Sequence, residues 1–294
     1  MDLSIIIVNH NTKKLLLDCL VSVFSQTKDI DFEVLVVDNN STDNSVELIK
    51  LLFINELTSS RIKIIKNKEN LGFAKANNQG IEQAQGEYII LLNSDTKIID
   101  QALVKLVRFA EKQPGLGVAG PRLVNADSSS QPSAAPFYTL PVTAVSLFKG
   151  DRWLRQSPAQ ARPVDWVSGA CFLIKREVIE KIGFLDEKFF MYVEEMEYCY
   201  RAKKAGLTTF FYPGVEVVHL ERGGQSGDWQ RRQQAIWGIY QGLVYFYEKH
   251  FASWQLAVLK FLLRTKAALA WLVGDLTNNH YLKTTYAKAF TLAG

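Results

Sequence analysis

The feature that most constrains this chain is an alternation repeated through its first hundred residues. Short apolar runs without polar interruption are each followed by a polar turn and then by apolar residues at helical spacing. Ser4-Ile5-Ile6-Ile7-Val8 is β-branched and does not alternate, as a strand buried on both faces requires. Asn9-His10-Asn11-Thr12 ends it, after which Leu15, Leu16, Cys19, Leu20 and Val23 recur on one helix face. The run Phe32 to Val37 stops at Asp38-Asn39-Asn40-Ser41-Thr42-Asp43, where Ser41 or Thr42 is placed to cap a helix carrying Val46, Leu48, Ile49 and Leu52. Arg61 to Lys66 reads as a third strand. Asn70-Leu71-Gly72 then turns into a helix over Ala74 to Ala84, and Gly86 stops it before the strand Tyr88 to Leu92. The pattern predicts an α/β fold with a Rossmann-like, mostly parallel central sheet flanked by helices.

In open sheets of this kind ligands bind beyond the carboxyl ends of the strands. Asp95 sits there, in Leu91-Leu92-Asn93-Ser94-Asp95-Thr96, and is placed to meet a nucleotide phosphate through a divalent cation. Asp38 ends its strand in the same way, and Glu194-Glu195 adds a second acidic locus. Together they predict one polar site fed by several strands.

The 294 residues, 48% hydrophobic, give ample core for one large domain or a domain with an appendage. A net charge of +4 is too small for a nucleic-acid partner, which needs a strongly basic patch. Cys19, Cys171 and Cys199 form no paired spacing, which fits buried thiols in a reducing compartment and argues against zinc. The N-terminus enters a strand without a secretory pattern, so a cytoplasmic protein is expected.

Beyond residue 100 the pattern loosens. Ala102 to Gln113 reads as an amphipathic helix, Val118 to Pro121 as a short strand and turn, and the Ser-, Ala- and Pro-rich stretch Asn125 to Pro141 as a mobile loop. Trp166 to Ile174 reads as a strand, followed by a helix from Arg176 to Gly183. Glu194 and Glu195 open a helix running from Met196 to Ala205, where acids also serve simply as favourable charges at a helix N-terminus. Glu197, two residues on and nearly opposite, is expected in solvent.

The order of Ile5 to Asn11, Val36 to Asp43, Asn70 to Gly80, Asn93-Ser94-Asp95, Gly169, Tyr192 to Arg201 and His219 resembles family 2 glycosyltransferases, most nearly their rhamnosyltransferase-like branch. The likeness covers about residues 3 to 226 and implies a GT-A fold with inverting transfer of a sugar from a nucleoside diphosphate. It implies a transferase domain over 1–228, with a nucleotide-binding part to about 120 and an acceptor part over 121–228. A C-terminal helical region follows over 229–294.

Residue by residue, Asp38 resembles the acid that accepts the pyrimidine N3-H, with the backbone of Val8 and Asn9 lining the base and Asn11 and Asn40 beside it. A carboxylate suits thymine or uracil and repels the acceptor face of cytosine. Asn93-Ser94-Asp95 stands where the family has DxD: Asp95 would ligate Mn²⁺ or Mg²⁺, while Asn93 can meet a ribose hydroxyl but removes one charge from the metal site. Asn77 and Asn78 resemble residues packed beside the nucleotide, and a plain polar helix face explains them as well. Gly169 resembles a turn that lets the acceptor approach the sugar.

Glu195 aligns with the general base, with Glu194 as the alternative, because the longer side chain must retract relative to the family's usual aspartate. His219 resembles the histidine that completes the metal or diphosphate site, and a neutral imidazole favours Mn²⁺. Arg222, in Arg222-Gly223-Gly224-Gln225-Ser226, lies on a loop able to close over the diphosphate or to be a surface turn.

From Trp229 onward aromatics interleave with basic residues, a pattern of helices lying on an anionic bilayer; packing on the domain core or a homodimer interface explains it equally. A dTDP- or UDP-sugar donor and a glycan or polyprenyl-diphosphate-linked acceptor, in cell-surface polysaccharide synthesis, are the implied partners. A sugar-nucleotide-binding protein without catalysis is the alternative, favoured by Asn93. A nicotinamide-dependent oxidoreductase is disfavoured, since no GxGxxG follows the first strand.

Overall fold

The computed structural model describes residues 1–150, 153–220 and 229–294. The chain begins β1 (Leu3–Asn9), α1 (Lys13–Gln26), β2 (Phe32–Asp38), α2 (Ser45–Leu52), α3 (Ile54–Thr58), β3 (Ile62–Lys66), α4 (Phe73–Gln83) and β4 (Tyr88–Asn93). These four strands pair in parallel in the order β3-β2-β1-β4. Every residue of β2 is buried, including Glu33, whose carboxylate accepts from Ser4 and Lys63 at 2.8 Å.

The second half of the sheet is mixed. It comprises β5 (Thr96–Ile98), α5 (Ala102–Glu111), β6 (Leu116–Val124), β7 (Ser130–Gln131), β8 (Ala134–Ala135), α6 (Leu140–Lys149), β9 (Arg162–Val164), β10 (Trp166–Val167), β11 (Cys171–Lys175), α7 (Arg176–Ile182), α8 (Glu194–Lys204) and β12 (Thr208–His219). The sheet continues from β4 through β11, β6 and β12 to β5, with β11 antiparallel to both β4 and β6 and β12 parallel to β6.

Two readings of this half are corrected. β6 runs straight through Pro121 instead of turning there. Asn125 to Pro141 is not a loose loop: it carries β7 and β8 and buries Ala134, Ala135, Phe137 and Tyr138, because β8 pairs with β10 and Trp166 Nε1 donates to the Pro136 carbonyl at 2.9 Å.

The C-terminal helices are α9 (Trp229–His250), α10 (Ser253–Leu276) and α11 (His280–Leu292). The α9 aromatics Tyr240, Phe246 and Tyr247 are buried and belong to the same apolar cluster as Ile6 and Leu91 of the sheet, so this helix packs on the core. Among the described residues, no helix is long and apolar enough to cross a membrane.

Candidate functional site

Parallel register brings the ends of the first strands level: Asn9 lies beside Asp38 and Val8 beside Asn93. Asn9 is fully buried, and its side-chain amide donates to Asp38 Oδ1 at 2.9 Å, with the hydroxyls of Ser41 and Ser45 at 2.9 and 3.0 Å. Asp38 also accepts from the Ser41 backbone N–H at 3.2 Å, the Asx turn that its polar sequence permits. Thr12 donates to Asn9 Oδ1 at 2.5 Å and lies 2.8 Å from Ser94 Oγ, so the Asp38 and Asp95 corners share one hydrogen-bond chain. Asn11 and Asn40 both take left-handed backbone, and Asn11 Oδ1 accepts from the Thr42 N–H at 2.8 Å.

Asn39, which sequence reasoning passed over, is buried and organises the neighbouring turn. It donates to Asn70 Oδ1 at 2.9 Å and accepts from the Leu71 N–H at 3.1 Å. Gly72 closes that turn at φ +81°, with Phe190 so near that a Cβ would overlap its carbonyl. Asn77 bonds within its own helix to the Phe73 carbonyl, and Asn78 pairs with both the N–H and the carbonyl of Leu185. Both side chains are buried and bonded within the protein.

At the end of β12, His219 meets β4. Its Nε2 lies 3.3 Å from Asp95 Oδ1 and 3.4 Å from the Asn93 amide, while Nδ1 lies 2.8 Å from Gln131 Oε1. An amide oxygen only accepts, so in the neutral ring Nδ1 carries the proton and Nε2 turns a lone pair toward the carboxylate. The ring nitrogen and the carboxylate together suit a cation, with the Gln131 amide oxygen fixing the ring as an outer partner. No cluster of three His, Cys, Asp or Glu side chains exists among the described residues, so a cation here takes its remaining ligands from a bound diphosphate or water.

Glu194 and Glu195 open α8 below this corner. Glu194 is 4% exposed, and Oε2 of each is buried with no hydrogen-bond partner among the described residues. Burial and then the charge of Glu195 push Glu194 well above the carboxylate range. Burial raises Glu195 too, but its own backbone N–H, Arg155 and the Gly169 N–H oppose that rise. Glu195 therefore ionises first.

The Asn93 N–H donates to the Ala170 carbonyl at 3.0 Å, which sets Gly169 between the two corners, and a Cβ on Gly169 would stand 3.8 Å from the Glu195 Cβ. That is ordinary contact, so the protein itself does not demand a glycine there.

The pair follows two consecutive residues in left-handed backbone, Tyr192 at φ +72° and the β-branched Val193 at φ +75°. Such backbone costs about 1–3 kcal/mol per residue and persists only when packing enforces it. The enforcement comes from α9, whose Gly238 and Gly242 share one helix face: a Cβ on Gly242 would lie 2.8 Å from Val193 Cγ2, and one on Gly238 would lie 2.9 Å from the Met191 carbonyl oxygen.

Glu197 is corrected: it is fully buried. It binds Arg201 Nε through both oxygens at 3.0 and 2.9 Å, Lys249 at 2.8 Å and His250 at 2.9 Å, fastening the end of α9 to α8. Arg222 and its glycine-rich loop lie outside the described residues.

Residues 4–183 match the family model described as glycosyl transferase family 2. The chain is 27% identical over 257 residues to an N-acetylglucosaminyl-diphospho-decaprenol L-rhamnosyltransferase of Mycobacterium tuberculosis, covering 80% of this chain and 81% of that protein. It is 29% identical over 232 residues to a low-salt glycan biosynthesis hexosyltransferase of Haloferax volcanii, covering 76% and 69%. Among solved structures, a mannosyltransferase from Pyrobaculum calidifontis in complex with GDP-Man and Mn²⁺ superposes with a TM-score of 0.60 at 18% identity, over 99% of this chain and 85% of that one. The shared architecture is the GT-A fold.

Proposed function

Because the chain belongs to glycosyl transferase family 2, we propose that it moves a sugar with inversion from a pyrimidine nucleoside diphosphate to a hydroxyl of a glycan or lipid-linked acceptor. The donor we favour is dTDP-L-rhamnose, with a UDP-sugar as the other choice. The observation that carries the catalytic part is the Glu194–Glu195 pair, a buried and a half-buried acid with raised proton affinity and one unpaired buried oxygen on each, at one helix start.

In this reading residues 1–228 carry the chemistry and the C-terminal helices brace it. Val8, Asn9, Asn11, Asp38 and Asn40 form the base and ribose end, with Asp38 taking the N3-H. Asn93 and Ser94 line the ribose and diphosphate, and Asp95 with His219 would hold Mn²⁺ or Mg²⁺, which supplies positive charge to the departing diphosphate. Gly169 leaves space for the acceptor. Glu195, ionised before Glu194, accepts the proton of the acceptor hydroxyl as its oxygen bonds to the anomeric carbon and the bond to the diphosphate breaks on the opposite face. Glu194, still protonated, keeps a second charge out of the pocket.

The single amide at Asn93 favours one competing reading, a sugar-nucleotide-binding protein without catalysis. One experiment separates them: thermal stabilisation by dTDP, UDP, GDP and NAD with and without Mn²⁺, followed by transfer assays on the native chain and Glu195→Gln. Metal-dependent stabilisation by a pyrimidine diphosphate, with transfer lost in Glu195→Gln and binding kept, is expected. Binding without turnover in the native chain would favour the binding protein, and no stabilisation by any nucleotide would overturn both.

A further inference from the structure

We propose that the outward face of α10 docks on an anionic phospholipid bilayer. The helix is apolar on two opposite faces. Leu259, Leu263, Ala267 and Gly274 are buried inward against the molecule. Trp254, Val258 and Phe261, then Leu269, Leu272 and Leu276, recur three to four residues apart on the other side with Thr265 between the two groups, and they are exposed, Phe261 by 68% and Leu276 by 76%. A helix of a water-bathed monomer has no reason to hold so many large apolar side chains opposite its core face.

The basic residues of α10 lie at the seams between these faces. At 3.6 residues per turn, Lys260 and Arg264 fall along one flank of the ridge and Lys266 along the other. Arg264 and Lys266 face no carboxylate at salt-bridge distance among the described residues, and Arg264 stacks over Phe290 of α11 at 4.8 Å. Lys260, Phe261, Arg264 and Phe290 line a shallow groove of about 390 Å³, cationic at its rim and apolar at its base. Long basic side chains beside an apolar ridge reach headgroup phosphates while the ridge enters the acyl boundary. Trp254 near one end and Trp271 near the other are the side chains favoured at that depth.

Charge chooses the occupant. Residues 229–294 hold 8 Lys and Arg against 2 Asp and Glu, while residues 1–228 hold 26 against 28, so the basic excess of the chain resides wholly in the helical segment. A second copy docked face to face would set Lys260, Arg264 and Lys266 near their own like charges, whereas an anionic surface complements them.

The proposal does not depend on which sugar is moved, and its test uses no transfer reaction. Sedimentation of the full chain with vesicles of phosphatidylcholine, alone or in equal parts with phosphatidylglycerol, measures partition at low and high salt, alongside the solution mass. Salt-sensitive binding to the phosphatidylglycerol vesicles is expected. The pair Lys260→Gln and Arg264→Gln should weaken it about fivefold per cation, and the pair Phe261→Asp and Leu272→Asp should abolish it with the melting temperature unchanged. Equal binding to both vesicle types, binding to neither, or undiminished binding by either variant overturns the proposal. So does a dimer of the native chain that Phe261→Asp and Leu272→Asp dissociates, which would make a second copy the occupant.

Discussion

Replacing Gly242 by alanine tests whether α9 sets the catalytic geometry from a distance. The new methyl would lie 2.8 Å from Val193 Cγ2 and 3.1 Å from the Tyr192 carbonyl oxygen. Carbon contacts are relaxed only near 3.5–4.0 Å, so the Tyr192–Val193 segment must retreat by roughly half an ångström or more. Alanine favours the helix by about 1 kcal/mol, and overpacking costs about 1–3 kcal/mol, so the net loss of stability should be at most about 2 kcal/mol. The rate should suffer more. A displacement of about 1 Å at a reacting group costs about 100-fold, so roughly half of that at Glu194 and Glu195 predicts a fall in kcat of about tenfold with KM for the donor little changed.

Gly274→Ala supplies the matched control. A Cβ there would meet Leu282 Cβ at 2.8 Å and the Lys283 N at 2.9 Å, a comparable clash between α10 and α11. It should lower the melting temperature and leave kcat unaltered. Steady-state kinetics and thermal melts on the two variants decide the matter: equal losses of kcat, or full activity in Gly242→Ala with an unshifted melt, would refute the claim that α9 holds the strained segment in place.

Three further outcomes follow from the site. Glu194 is raised above its ordinary range, so between the unfolded and folded values the native state holds more protons and stability falls as pH rises; Glu194→Gln should therefore melt higher than the native chain by a margin that grows as pH rises above the ordinary carboxylate range, and a margin independent of pH counts against its burial as an acid. Gln131→Leu removes the oxygen that fixes the His219 ring and should weaken Mn²⁺ affinity about 10- to 100-fold, read by metal titration of donor-induced stabilisation; unchanged affinity would leave Gln131 without that role. Glu197→Ala leaves His250 without its acceptor and Arg201 and Lys249 without a shared carboxylate and should cost about 3–5 kcal/mol in chemical denaturation, whereas a solvated Glu197 would cost almost nothing.

The parallel half of the fold was legible because burial on both faces writes itself as non-alternating apolar runs, and Val34 to Val37 and Tyr88 to Leu92 are such runs. The mixed half was not. β6 continues through Pro121 because β12, paired alongside it, breaks its own register between Tyr212 and Glu216, and nothing local to Pro121 announces that shift. The Ser- and Pro-rich composition of Asn125 to Pro141 looked like a loop because its burial depends on β10 and α8, which come some thirty and sixty residues later. Of the site, the strand-end residues Asp38, Asn93 and Asp95 could be found from where apolar runs stop. Gln131 could not, since its role exists only once β7 folds back beside β6 near His219.

Glu195 and Glu197 show where local reading ends. Both lie in one acidic first turn, and helix geometry sorts them only onto different faces. Their chemistry is set by α9, some fifty residues on. Lys249 and His250 meet Glu197 and make it a clamp, while Gly238 and Gly242 press on Met191 to Val193, beside which one oxygen each of Glu194 and Glu195 stays buried without a partner. The same helix thus pairs one acid and packs behind two others. That division explains how a C-terminal segment beyond the family match can govern the reaction without touching substrate. Glu197 sits against the charges of Arg201 and Lys249, whereas Glu194 and Glu195 each keep one buried oxygen without a partner.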